Sequence, residues 1–144
     1  MAAGSDDVGE ALLALAALAV RRVDRELSLT AASTLATLER TGPRRVTDLA
    51  AAEGVTQPSM TAVVSQLQHL GLADRRRDPA DGRVVLVALT TAGRRHLTAS
   101  RRAGASVFTA LIEKLPEQDA AALGAAVPAL RRLLQLADAG RPPR

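Results

Sequence analysis

Four arginines surround one short turn-forming segment of this chain, and the chemistry open to them is the binding of anions. They are Arg75, Arg76, Arg77 and Arg83. Arginine is charged at every relevant pH, and its planar fork of N–H donors fits phosphate oxygens. Asp78 and Asp81 lie between them, and we expect either carboxylate to pair with an arginine across the turn and so orient it. The pattern predicts a charged hairpin tip suited to a nucleic-acid backbone or minor groove.

A second set of side chains shares one side of a helix that we expect to begin after Thr56. Met60, Val64 and Leu67 recur at helical spacing and form its apolar side. Neutral polar groups on the other side can hydrogen-bond the edges of bases, although a merely solvated helix face has the same composition. The candidate contact positions on this helix are Gln57, Pro58, Ser59, Thr61, Ala62, Ser65 and Gln66.

Catalytic and metal chemistry find little support. The chain has no cysteine, which excludes disulfides, thiolate zinc sites and reactive thiols. His69 and His96 fall on different predicted helices, and neither a nucleophile motif nor a glycine-rich phosphate loop is present. We therefore predict that the chain is not an enzyme and needs no cofactor. A metal-responsive regulator that combines the two histidines with carboxylates stays as an alternative.

Positive charge is concentrated in one third of the chain. The formal net charge is +4. Residues 57–102 hold eight arginines and three aspartates, or +5, while the rest holds 11 basic and 12 acidic residues, or −1. Charge gathered at a turn favours double-stranded DNA as partner. A protein-interaction module that has lost DNA binding is the other alternative, and salt-titrated binding to random DNA separates the two.

Composition and periodicity predict the elements that carry these residues. Hydrophobic residues make up 47% of the chain, but only Phe108 is aromatic, which favours helices over large sheets. We predict a mainly α fold with a small β-hairpin wing (α+β), a winged helix-turn-helix with a helical dimerisation region. The first predicted helix covers 8–27, and the second runs from a cap at Ser28 or Thr30 to residue 41. The third covers 48–53 after a Thr47 cap, and the fourth covers 57–70 after a Thr56 cap. The fifth runs from a cap at Thr90 or Thr91 to about residue 114, the sixth begins at 116, and the two predicted strands cover 72–76 and 84–89.

The terminal helices have apolar stripes too broad for one small lobe to cover, which predicts a homodimer. The residues we assign to dimerisation are Leu12, Leu15, Leu27, Leu130 and Leu134. The predicted dimerisation region is 1–29 with 93–144, and the predicted DNA-binding lobe is 30–92. The apolar run 11–20 follows acidic residues and is too short to span a bilayer, so we expect a cytoplasmic protein without a membrane partner.

Several motifs, in their order along the chain, resemble the MarR family of bacterial regulators. They are Leu29-Thr30, 46–50, 56–61, the Gly-Leu-x-x-Arg strand in 70–76, the Asp-Pro-x-Asp-x-Arg wing of 78–83 and the Leu-Thr-x-x-Gly helix start of 89–93. The resemblance covers the central two-thirds of the chain. It implies a triangular homodimer whose first, fifth and sixth helices interlock above two winged lobes. Two such lobes suit a pseudo-palindromic operator.

The same resemblance implies a repressor that releases DNA when a small, often aromatic, acid enters the cleft above the lobe. With one aromatic residue in the chain, an aliphatic effector or none stays open. Two positions depart from the family pattern. Ala62 stands where relatives often have a basic residue, and Gly82 stands where a second arginine is common.

Overall fold

A computed structural model of the chain describes residues 4–22 and 26–139. The chain divides into two compact units, Met1–Ala103 and Gly104–Arg144. The mainly helical fold with one antiparallel hairpin confirms the predicted fold class. The elements are α1 (Ser5–Arg22), α2 (Leu29–Thr41), α3 (Val46–Glu53), α4 (Gln57–His69), β1 (Ala73–Arg77), β2 (Val85–Leu89), α5 (Thr91–Ile112) and α6 (Glu117–Ala139). The predicted boundaries between the dimerisation region and the DNA-binding lobe, at 29/30 and at 92/93, stay a prediction.

The core of the first unit joins α2, α3, α4, the hairpin and the start of α5. Met60, Val64 and Leu67 are fully buried, as the helical spacing of apolar residues predicts. They pack with residues of every other element of this unit except α1, namely Leu35, Leu38, Leu49, Ala73, Val87 and Leu97. Burying each such side chain contributes about 1.5–3 kcal/mol. This core holds α4 with one side inward and the other side free.

Two of the predicted helix starts are confirmed and one is wrong. Ser28 caps α2 by accepting a hydrogen bond from the Ala31 amide at 3.2 Å, and Thr56 caps α4. Helix α3 begins at Val46 after Arg45, and not after Thr47 as predicted. The reason is a pairing of Arg44 with β2, in which the Arg44 amide donates to the Val87 carbonyl at 3.0 Å and the Val87 amide donates back at 2.7 Å. This bridge holds the chain extended up to Arg45.

The hairpin pairs Ala73 with Leu89 at its base and Arg77 with Val85 near its tip. Thr90 joins the hairpin to α5 in two ways. Its hydroxyl donates to the Gly71 carbonyl at 2.7 Å and accepts from the Gly93 amide at 2.9 Å. Of the two threonines considered as the cap of α5, the structure therefore selects Thr90.

Helix α1 does not extend to Leu27 as its apolar pattern predicts. The described part of the helix is Ser5–Arg22, residues 23–25 of the predicted helix lie outside the described residues, and Leu27 lies in a bend. Leu27 is only 7% exposed and belongs to the core of the first unit. Its assignment to a dimerisation stripe is therefore wrong, because its apolar surface is already covered. Within residues 4–22 and 26–139, no helix has both the length and the apolarity needed to cross a membrane.

Candidate nucleic-acid interface

The exposed side of α4 is the first part of the site. All seven candidate positions on this helix are exposed, whereas Met60, Val64 and Leu67 face the core. The N-terminus of the helix is ordered by Thr56, whose hydroxyl accepts from the Ser59 amide at 3.3 Å and lies 2.9 Å from the Ser59 hydroxyl. Pro58 is compatible with the first turn, where an amide has no intrahelical partner. The helix therefore presents a rigid, uncharged polar surface.

The hydroxyls of Thr61 and Ser65 have a defined hydrogen-bonding polarity. Thr61 donates to the Gln57 carbonyl, and Ser65 donates to the Thr61 carbonyl, each at 2.9 Å. A hydroxyl carries one proton and two acceptor lone pairs, so both oxygens remain available as acceptors. In the major groove, the matching donors are the amino groups of adenine and cytosine. The two hydroxyls are thus prepared to accept from a base edge without losing their contact to the helix backbone.

The arginines of the hairpin form the second part of the site, and all four are exposed. Arg77 is partly engaged, because its guanidinium donates to the Gly82 carbonyl at 2.7 Å and closes the turn. The guanidinium groups of Arg75, Arg76 and Arg83 have no hydrogen bond or ion pair to any described residue. Three unpaired cations on one hairpin make a surface suited to an anionic partner.

The two aspartates of the turn bind the backbone and not the arginines. The Asp78 carboxylate accepts from the Ala80 amide at 2.9 Å, and the Asp81 carboxylate accepts from the Arg83 amide at 3.0 Å. The predicted pairing of either carboxylate with an arginine side chain is therefore wrong for the described residues. An aspartate side chain is short and meets the amide two residues ahead before it can reach a guanidinium across the turn. Its effect on the wing is to fix the backbone of the tip.

A groove beside the hairpin is lined by an arginine, Arg45, that the sequence analysis did not include in the site. It measures about 460 Å³ and lies between the start of α3 and the hairpin. Its lining residues are Arg45, Val46, Thr47, Arg75, Val84 and Val85. The signal in the sequence is the basic pair 44–45 directly before α3, which becomes informative only once the Arg44 bridge to β2 is known.

A second cavity of about 460 Å³ lies between α1, α2 and the first half of α5. Its lining is mostly Ala, Val and Leu side chains, and no Phe, Tyr or Trp is among the described lining residues. The polar lining residues are Glu26, His96 and Ser100. The Glu26 carboxylate oxygen and His96 Nδ1 are 4.0 Å apart. His69 is exposed on α4, away from His96 in the chain, and no cluster of three or more potential metal ligands occurs in the part of the chain that the structure describes.

Comparison with known proteins connects this architecture to a family. The family model for MarR matches residues 27–85. An HTH-type transcriptional regulator of Mycobacterium tuberculosis is 40% identical over 95 residues, which cover 60% of this chain and 66% of the relative. Residues 27–85 belong to the MarR family. This confirms the resemblance found in the motifs, and the expectation that the chain is not an enzyme agrees with a family of transcriptional regulators.

Solved structures of MarR type share the fold. A transcriptional regulator from Thermotoga maritima superposes with a TM-score of 0.80 over 95% of this chain and 100% of its own, at 16% identity. A variant of MepR from S. aureus, crystallised with a bound oligodeoxyribonucleotide, has a TM-score of 0.67 over 93% of this chain and 99% of its own, at 19% identity. Both identities are low, so these neighbours establish the winged-helix fold alone.

The MarR-family motifs have identifiable structural tasks in this chain. In the wing motif, the two aspartates fix the tip and Arg83 remains free. In the helix-start motif, Thr90 caps α5 while Gly93 allows the helix to meet the Leu72 carbonyl, which a Cβ atom would approach to 2.1 Å. Most of the motif therefore builds the lobe, and only part of it is left for contacts with a partner.

Proposed function

We propose that this chain is a transcriptional regulator that binds a specific double-stranded DNA sequence as a homodimer. The observation that carries the proposal is the combination, within one compact unit, of an exposed polar side on α4 and a hairpin with unpaired arginines. Helix α4 packs against β1, so the two surfaces have a fixed relation to each other. Membership of the MarR family and the DNA-bound MepR structure support the same function.

The two surfaces divide the work of recognition. Helix α4 enters the major groove, where Thr61, Ser65 and the amides of Gln57 and Gln66 contact base edges. The hairpin follows the backbone, and Arg83 reaches a phosphate or the narrow minor groove. Contacts to phosphate supply affinity and orientation, while contacts to base edges supply specificity. A repressor acts by occupying the operator in this way.

The exposed apolar side chains of α6 support the homodimer. Leu130 is 36% exposed and Leu134 is 67% exposed. Other large apolar residues of the helix are also exposed, namely Leu123, Val127, Leu133 and Leu136. On a free surface such a stripe is unfavourable, and a second copy of the chain is the partner that buries it. Leu12 and Leu15 on α1 are further residues that we propose for dimerisation.

The apolar cavity of the first unit is our candidate site for a small-molecule effector. Its walls favour an aliphatic ligand, because they are mostly Ala, Val and Leu and no Phe, Tyr or Trp among the described lining residues offers a large ring for stacking. Glu26 and His96 at its border offer one hydrogen-bonding or charged contact to orient the ligand. The cavity touches α2 and α5, so a ligand there acts on the elements that carry the lobe. Cytoplasmic location stays a prediction.

Selection of bound sequences from a random DNA pool tests the function directly. The selected duplex and a scrambled duplex are then compared in salt-titrated binding. We expect Thr61→Ala and Ser65→Ala to cost about 1–3 kcal/mol on the selected duplex and little on the scrambled one. Equal losses on both duplexes would assign these hydroxyls to the backbone. No enrichment of any sequence, together with no salt-dependent binding, would favour an interaction module instead.

Arg83 is tested in the same experiment. If each copy neutralises one phosphate, Arg83→Ala flattens the slope of log affinity against log salt by about 1.8 per dimer, from about 0.9 per contact. If Arg83 enters the minor groove, the loss is larger on sites with A·T-rich flanks. Arg77→Ala is an informative companion, because Arg77 also closes the turn. An unchanged slope and affinity for Arg83→Ala would remove Arg83 from the interface.

A further inference from the structure

The groove between the start of α3 and the hairpin joins two arginines that are distant in the chain. Arg45 ends the extended segment before α3, and Arg75 lies on β1. Their proximity follows from strand pairing, since Val87 is the partner of Arg75 on one side and of Arg44 on the other. With neighbouring strands about 4.8 Å apart, the backbones at 44 and 75 are separated by roughly 10 Å. Both arginines border the same open space.

Within the part of the chain that the structure describes, the two guanidinium groups of this groove have no ion-pair partner. The guanidinium groups of Arg45 and Arg75 form no ion pair or hydrogen bond with any residue in the described ranges. Arg45 precedes α3 without capping it through its side chain. The acids nearest in sequence are Asp48, in the first turn of α3, and Asp74, whose carboxylate accepts from the Arg75 backbone amide at 2.8 Å. Neither carboxylate forms an ion pair with the side chain of Arg45 or Arg75. Two unpaired cations around one groove repel each other, and an anion placed between them removes that cost.

The groove is open to the surface and mostly apolar. Val46, Val84 and Val85 line it together with the two arginines, and Thr47 is the additional polar residue of the lining. Such a surface offers no set of directed contacts that would select a small metabolite. The groove suits an anionic ligand that is already held in position by contacts to other parts of the protein. The phosphate chain of DNA already held by α4 and the wing meets that description.

We propose that Arg45 and Arg75 form a phosphate clamp that binds the DNA backbone at the groove between the start of α3 and the hairpin. This rests on the proposed DNA-binding function and adds a residue, Arg45, outside the sequence-predicted site. The clamp acts on affinity and register, not on base sequence, because phosphates are the same at every step. Arg45 and Arg75 contact phosphate oxygens through their guanidinium groups, and the hydroxyl of Thr47, which also lines the groove, adds a donor.

The test compares Arg45→Ala, Arg45→Lys and wild type on the selected duplex and on the scrambled duplex. We expect Arg45→Ala to flatten the log–log salt slope by about 0.9 per clamp, or about 1.8 per dimer. Between 50 and 200 mM salt this makes the loss of affinity roughly tenfold smaller than for wild type. The affinity at low salt falls by the same factor on both duplexes. Arg45→Lys keeps most of the slope, because the charge is retained.

Arg102→Ala is the matched control, since Arg102 is an exposed arginine on α5 with no ion pair to a described residue and its loss changes the net charge equally. If Arg45→Ala and Arg102→Ala give the same slope, the clamp is refuted. A loss confined to the selected duplex also refutes it, because that result indicates base contact. Thermal melting of each variant shows that the exposed substitution leaves the fold intact.

Two further measurements distinguish the clamp from a site for free anions and from a general loss of DNA binding. The free protein is titrated with inorganic phosphate, and amide NMR shifts are followed at 45–47. The clamp is overturned if inorganic phosphate saturates these shifts while Arg45→Ala leaves the salt slope of DNA binding unchanged. If wild type prefers its selected sequence but Arg45→Ala behaves like the control, the clamp alone fails. If wild type binds neither duplex, the proposed function fails and the clamp fails with it.

Discussion

Gly93→Ala is the substitution whose effect can be calculated most directly from the structure. Gly93 is buried in the first turn of α5. A Cβ atom at this position would lie 2.1 Å from the Leu72 carbonyl oxygen and 2.6 Å from the Leu89 Cδ1 atom. The Leu89 side chain can rotate away, but the carbonyl belongs to the backbone before β1 and also accepts from the Thr90 amide at 3.2 Å. Either α5 or the hairpin must therefore move by about 1 Å to reach an ordinary contact.

The expected cost combines three effects. Overpacking against backbone reaches the upper end of its usual range, about 3 kcal/mol. Displacing the Leu72 carbonyl weakens its hydrogen bond with the Thr90 amide, which adds about 1 kcal/mol. Alanine favours helix over glycine by at most about 1 kcal/mol, which offsets the second effect. We expect a net loss of about 3 kcal/mol, and for a chain of this size a Tm lower by roughly 6–12 °C.

Thermal melting followed by far-UV circular dichroism checks this value at matched protein concentrations. Gly9→Ala is the control, because Gly9 lies within α1 and a Cβ there meets nothing within 4 Å. It is expected to leave the Tm unchanged or raise it slightly. A Gly93→Ala protein that melts together with wild type and Gly9→Ala would show that the close approach of α5 to the hairpin is absent in solution.

Three other substitutions probe the lobe and the proposed dimer. Met60→Ala should cost about 2–5 kcal/mol in chemical denaturation, since the side chain is fully buried, and a loss below about 1 kcal/mol would place α4 differently. Thr56→Ala should cost about 1 kcal/mol, with Thr56→Ser retaining the cap and serving as control. Replacing Leu130 and Leu134 by Asp should abolish dimerisation in analytical ultracentrifugation, and a wild-type protein already monomeric at micromolar concentration would refute the proposed interface.

The parts of the fold that could be predicted are those set by neighbours along the chain. Met60, Val64 and Leu67 recur at helical spacing, so their burial follows from the period alone. Thr56 is identifiable as a cap because a threonine before a proline-containing first turn is a local signal. The change of period and the turn formers of 78–82 place the hairpin to within one residue.

The errors arise where distant or competing contacts decide the outcome. The start of α3 depends on Arg44 pairing with Val87, 43 positions away, which no local pattern reveals. Leu27 continues the apolar period of α1, but the structure buries it in the core of the first unit, because tertiary packing overrides the local helical pattern. The same pairing conceals the candidate groove, since Arg45 gains its significance only when α3 is placed beside Arg75.

The wing shows why residue types in a motif do not by themselves reveal roles. Two aspartates among four arginines suggest ion pairs, yet both carboxylates bind amides of their own turn, where the donor is nearest. The effect on the proposed function is favourable. An aspartate paired to Arg83 would compete with a phosphate for the same guanidinium, whereas an aspartate bound to the Arg83 amide fixes the backbone and leaves the guanidinium free. The carboxylates thus order the tip at little cost to its positive charge, and the negative charge that an acidic turn brings to DNA is partly offset by the amide dipoles it binds.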